Sequence, residues 1–167
     1  MEPSFELTTL YAALDAQRES RGLTWTQAVR EINAVGPTSI RQIAVSTVTG
    51  LPSKTLAEGD GVLQMLRWLK RSPESFLRDS SALTEELPEA KQEQVLRFDT
   101  PKLYEALNAR RTGKGMTWPQ VAGEIGGLRA ASLTRYSKGG RTAFPEIMRI
   151  CRWLGKPAAT FVRVSSW

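Results

Sequence analysis

The chain has 167 residues, 24% of them charged, a formal charge of +6, no histidine and a single cysteine. Those counts exclude a disulfide framework within one chain and remove the usual general base and the usual metal ligands, so neither catalysis, nor a metal, nor a cofactor is expected. Residues 1–97 hold 11 Lys and Arg against 13 Asp and Glu, a net of −2, whereas residues 98–167 hold 12 against 4, a net of +8. A half so basic concentrates polyanions around itself, and nucleic acid is the commonest of these in a cell.

The opening Met1-Glu2-Pro3-Ser4 lacks a basic leader, and no apolar run approaches the roughly 18 residues that a membrane span needs, so a cytoplasmic protein without membrane contact is expected. Apolar Leu10, Ala13 and Leu14 recur at helical spacing and predict a first amphipathic helix. Gly22 follows it, where a left-handed residue closes a helix at least cost. Thr24-Trp25-Thr26-Gln27 then carries the pattern of a capping box, which starts a second helix running to Ile32. Beyond it, Ala44 to Leu51 is read as a third helix, and Val62, Met65, Trp68 and Leu69 as the inward face of a fourth.

The same series then returns. Residues 10–32 and 103–125 align without a gap and are identical at 12 of 23 positions, including the Leu-Tyr pair, the glycine and the Thr-Trp-x-Gln box. Farther on, Arg67-Trp68-Leu69 matches Arg152-Trp153-Leu154 and Phe76 matches Phe161 at an offset of 85 instead of 93, which puts an insertion of 93 − 85 = 8 residues around Asn33 to Gln42 of the first copy. A duplication on this scale divides the chain into two units. The expected organisation is all-α: a divergent first unit over residues 5–78, a connector over 79–99 with a helix-compatible stretch from Pro88 to Leu96, and a basic second unit over 100–163. Trp68, Trp153, Phe76 and Phe161 are read as core. Cys151, within an apolar run, is read as a small buried hydrophobe.

In the second unit Gly126-Gly127 breaks the chain between the helix ending at Ile125 and a short helix over Arg129 to Tyr136, which is closed by Lys138-Gly139-Gly140. Met116-Thr117, Ala122 with Gly126 four residues later, and Ser132-Leu133-Thr134-Arg135-Tyr136-Ser137-Lys138-Gly139 together make residues 102–162 resemble the lambda-repressor-like, or Xre/Cro-type, helix-turn-helix family. The first unit departs further from that pattern, with Val29 at the small-residue position and Asn33 at the glycine. Trp25 and Trp118 stand where the family commonly has a phosphate-binding Gln.

The resemblance implies a double-stranded DNA-binding transcriptional regulator, a repressor by preference, bacterial or phage-encoded, with its second unit as main reader. Base-edge candidates are Arg129, Ser132, Thr134 and Arg135, with Ser46, Thr47 and Thr49 in the first unit. Phosphate candidates are Arg110, Arg111, Lys114, Thr117, Trp118, Gln120, Lys138 and Arg141, with Arg41 and Lys54 flanking the cation-free third helix of the first unit. A single chain acting as a pseudo-dimer is the favoured arrangement, and a homodimer is the other. The competing reading is a protein-interaction or assembly module that keeps the fold and uses its first unit for dimerisation or partner binding.

Overall fold

The computed structural model describes residues 5–34, 42–77, 84–91 and 93–165. The first unit runs α1 (Leu7–Ser20), α2 (Trp25–Ala34), α3 (Val45–Thr49), a 3-10 turn (Leu51–Ser53), β1 (Ala57–Glu58), α4 (Gly59–Leu69) and a 3-10 turn (Pro73–Phe76). The second repeats the order after β2 (Val95–Phe98), with α5 (Thr100–Gly113), α6 (Trp118–Ile125), α7 (Ala130–Arg135), a 3-10 turn (Tyr136–Lys138), β3 (Ala143–Phe144), α8 (Glu146–Leu154), a 3-10 turn (Ala158–Phe161) and β4 (Val162–Ser165).

Two antiparallel two-stranded sheets, β1 with β3 and β2 with β4, correct the all-α expectation. The helix expected from Pro88 does not form either. Residues 84–91 are irregular, and Val95–Phe98 is a strand paired along its length with Val162–Ser165. The physical reason lies in the first unit: the Arg67 guanidinium donates to the Ala90, Lys91 and Gln94 carbonyls, and Gln64 Nε2 donates to the Leu96 carbonyl at 2.7 Å. Carbonyls held from outside in this way do not serve an internal helical ladder.

Half of the repeat's 12 identities have a local structural cause. In both units a Tyr ring stacks on the Trp that opens the next helix, Tyr11 on Trp25 and Tyr104 on Trp118, each at 5.4 Å between centroids. An Arg guanidinium also lies over the indole, Arg18 on Trp25 and Arg111 on Trp118, each at 4.9 Å. The same two arginines donate to the carbonyl after their helix turn, Leu23 or Met116, at 2.9 Å. Gly22 and Gly115 both take positive φ, 64° and 65°. Both capping boxes are complete, with Gln27 and Gln120 each accepting from the cap backbone at 2.8 Å.

Asn33 stands where the second unit has Gly126, and it does different work. Its side-chain amide accepts from Ile43 N at 2.8 Å and donates to Ile43 O at 2.9 Å, closing the base of the insertion like one rung of a sheet.

The two units share one hydrophobic core. Phe144 at its centre meets Phe5 at 5.0 Å and Phe98 at 5.6 Å, and those two phenylalanines are themselves 93 positions apart. In the β1–β3 pair Glu58 stands opposite Ala143. Residues 58 and 143 are related by the repeat offset of 85, so equivalent residues pair antiparallel and a local twofold axis passes between them. Gly59 N completes the rung, donating to Thr142 O at 2.8 Å. Away from the axis, the Glu74 carboxylate accepts from Ala158 N at 2.7 Å and caps the last 3-10 turn of the other unit.

Phe76 and Phe161 are buried as expected, and so is Trp68. Trp153 is not. It is half-buried, its Nε1 donates to Glu124 Oε2 at 2.7 Å, and Arg110 and Lys114 lie 5.0 and 5.6 Å from its ring. Among the described residues no helix is long and apolar enough to cross a membrane.

Candidate nucleic-acid interface

The α6–turn–α7 segment is built from local rules. Thr117 caps α6 by accepting from Gln120 N, and Pro119 costs nothing because first-turn amides have no helical partner. Gly126 and Gly127, at φ 84° and 73°, turn the chain in a region closed to most side chains. The next helix, α7, is anchored on one face only: Leu133 is fully buried, and Tyr136 just beyond it is buried with its hydroxyl 2.9 Å from Thr142 Oγ1. The opposite face is thereby turned outward. Arg129, Arg135 and Lys138 are exposed and make no ion pair or side-chain hydrogen bond among the described residues.

Ser132 and Thr134 are half-exposed, and the Thr134 hydroxyl donates to Ala131 O at 3.3 Å. Of the base-edge candidates in the second unit, Arg129 and Arg135 are therefore exposed, and Ser132 and Thr134 only half so.

The phosphate candidates divide. Lys138 and Arg141 are exposed beyond α7. The Thr117 hydroxyl and Gln120 side chain are spent on the capping box, and Trp118 packs against Tyr104 and Arg111. Arg111 itself donates to Asn108 Oδ1 and Met116 O. Arg110 and Lys114 keep exposed heads but frame Trp153 and Glu124, Lys114 lying 3.2 Å from the Glu124 carboxylate. The Trp153 indole and the Lys114 ammonium hold that exposed carboxyl below its usual range.

In the first unit α3 is anchored in the same manner, by buried Val48 and Leu51 at the positions of Leu133 and Tyr136. Its outer face differs in chemistry. At the offset of 85, Arg129, Arg135, Lys138 and Arg141 correspond to Ala44, Gly50, Ser53 and Leu56, so every cation of the second unit's face is replaced by an uncharged residue. Ser46 and Thr49 are exposed, although the Thr49 hydroxyl donates to Val45 O at 3.2 Å. Thr47 is half-exposed and also lines a cavity, and Lys54 is exposed just after the 3-10 turn. Arg41 lies outside the described residues.

Cys151 is buried, and burial pushes its thiol far above the ordinary range, with Glu74 adding to the effect. A thiol kept protonated in this way is a packing group.

No family model, no curated protein and no solved structure matches the chain.

Proposed function

We propose that the chain is a sequence-specific double-stranded DNA-binding regulator of the lambda-repressor-like helix-turn-helix type, acting as a repressor in the cytoplasm without a cofactor. The observation that carries this reading is the outer face of α7. Arg129 at the start and Arg135 at the end of a short helix pinned by Leu133 and Tyr136 are exposed, as is Lys138 beyond them, and none of the three is neutralised by a neighbouring acid among the described residues. Exposed guanidinium groups on a helix held away from its own core suit bidentate bonds to guanine, and the flanking lysine suits phosphate.

The twofold relation at Glu58 and Ala143 favours one chain doing what two chains do in symmetric repressors. The second unit then supplies most of the charge, and the first supplies a smaller, neutral reading surface from Ser46, Thr47 and Thr49. Such a pair reads an asymmetric site.

A second reading, in which the first unit docks a protein partner, is favoured by one observation: Leu56, 44% exposed, stands where the second unit has Arg141. Fluorescence anisotropy on labelled duplex across a salt series tests the two. A regulator of DNA loses affinity steeply as salt rises, with a slope that falls when Lys138 is neutralised. A pure assembly module gives no saturable binding to any duplex selected from a random pool.

A further inference from the structure

Gly127 turns the chain between α6 and α7 at φ 73°, and the space a side chain would take there is already used: a Cβ at Gly127 would stand 2.5 Å from Arg149 Nη1 and 3.6 Å from Arg149 Cζ. Arg149 belongs to α8. A guanidinium from a third helix therefore lies on the turn, two residues before Arg129 and three before Ala130, the first residue of α7. It is far from the candidate reading helix in sequence and beside its entry in space.

The donors of that guanidinium are unspent. Arg149 is exposed, and its side chain makes no hydrogen bond or ion pair among the described residues. The arginines that brace backbone in this molecule behave otherwise. Arg18 donates to Leu23 O, Arg111 to Met116 O, Arg71 to Ser75 O, and Arg67 to the Ala90, Lys91 and Gln94 carbonyls. Arg149 lies against its turn without gripping it. A planar fork of five N–H donors, left open at the surface, matches the oxygens of a phosphate.

The internal repeat contains a unit without this arrangement. Gln64 stands where the second unit has Arg149, and it is buried with Nε2 donating to the Asp60 and Leu96 carbonyls. The tight glycine turn is likewise missing there, because the eight-residue insertion occupies its place. Position 149 thus joins 129, 135, 138 and 141 as cationic in the second unit and uncharged at its equivalent in the first.

We propose that Arg149 is a DNA phosphate contact supplied from outside the helix-turn-helix segment, seated on the Gly127 turn so that it grips the backbone flanking the groove that α7 enters. The inference rests on the DNA reading of α7 and adds to it a residue that no helix-turn-helix position supplies. Phosphates carry no sequence, so Arg149 strengthens binding without choosing a base.

The test is fluorescence anisotropy of the full chain across a salt series, on a duplex selected from a random pool and on a scrambled duplex of equal length. Arg149→Ala is expected to weaken both duplexes by the same factor, roughly tenfold, and to reduce the slope of log affinity against log salt by about 0.9. Arg149→Lys keeps the charge and should keep most of the slope. The slope is the deciding quantity, because a turn merely loosened by the substitution lowers affinity without removing a contact that releases counterions. Arg163→Ala, on β4 and away from α6, α7 and α8, removes the same charge and is expected to change the slope far less. If the wild type binds and Arg149→Ala leaves its slope intact, or Arg163→Ala lowers the slope equally, the contact is overturned while the reading of α7 stands. If the wild type binds no duplex, the reading of α7 fails and takes the contact with it.

Discussion

Glu58 and Ala143 face each other across the antiparallel β1–β3 pair, and they are also equivalent residues of the internal repeat, 85 positions apart. Pairing of equivalents is what a twofold axis between two identical chains produces, so the fused copies meet as an isologous dimer would. The equivalence then breaks in one informative place, at the outer faces of α3 and α7, where uncharged residues stand against cations.

The axis leaves little room at Gly59. A Cβ there would stand 2.7 Å from the Thr142 carbonyl oxygen and 3.0 Å from Phe98 Cδ2. Gly59→Ala is therefore expected to lower stability by about 1–3 kcal/mol through overpacking at the seam. Gly113→Ala, at a site with nothing within 4 Å, should instead raise it by about 0.5–1 kcal/mol. Urea unfolding of both variants checks the contrast, and a neutral Gly59→Ala would remove the close approach from the argument.

The two core-crossing helices end alike but not with equal ease. Lys70 closes α4 in the left-handed region at φ 56°, where its equivalent Gly155 closes α8 at φ 68°. The left-handed conformation costs an L-residue roughly 1–2 kcal/mol, partly offset by the greater freedom of glycine in the unfolded chain. Lys70→Gly should raise stability by up to about 1 kcal/mol, and a lower melting temperature would contradict this.

Glu74 links the units with a buried carboxylate. Burial raises its pKa, and the bond from Ala158 N opposes that only in part. With the folded pKa above the unfolded one, the folded state holds the proton more tightly, so stability falls as pH climbs from the unfolded value through the folded value. Glu74→Gln keeps an acceptor for Ala158 N and removes the charge. Relative to the wild type it should gain stability at neutral pH, and the gain should shrink as pH is lowered through that window. A difference independent of pH would show that the charge is not the cause.

Arg135 and Gly50 occupy equivalent positions on the two outer helix faces. Arg135→Ala is expected to cost roughly 1–3 kcal/mol on the preferred duplex and to relax preference at one base position. Thr117→Ala should behave differently, losing about 1 kcal/mol of folding stability with its capping box. Anisotropy titrations beside thermal melts separate the two effects. An Arg135→Ala protein that binds and discriminates like the wild type would remove α7 from the interface.

Much of this molecule was legible in the sequence because the repeat compares the chain with itself. The Thr-Trp-x-Gln caps, the left-handed glycines and the order of helices follow from local rules that each copy satisfies separately. The strands were not legible. Ala57–Glu58 and Ala143–Phe144 are two-residue pieces created by the meeting of the units, and no local alternation announces them. Val95 and Leu96 read as the tail of a helix because the sequence does not reveal that Gln64 and Arg67 capture the Leu96 and Gln94 carbonyls.

Trp153 misled in a similar way: a large apolar side chain at helical spacing became a surface platform for Arg110, Lys114 and Glu124. The cation-to-neutral replacement at Arg129, Arg135 and Lys138 was available from the offset of 85 alone. Its meaning required knowing that Leu133 and Tyr136 turn that face outward. The shared core also shows why the units are best tested together: a cut between residues 97 and 98 separates Phe98 from Asp60 and β1 from β3.

The most direct measurement is the stoichiometry and footprint of the full chain on a duplex selected from a random pool. One chain protecting one non-palindromic site, with its stronger contacts under the second unit, is the expected result. Two chains on a palindrome, or no duplex enriched over the starting pool, would contradict the proposal that a single fused pair reads DNA.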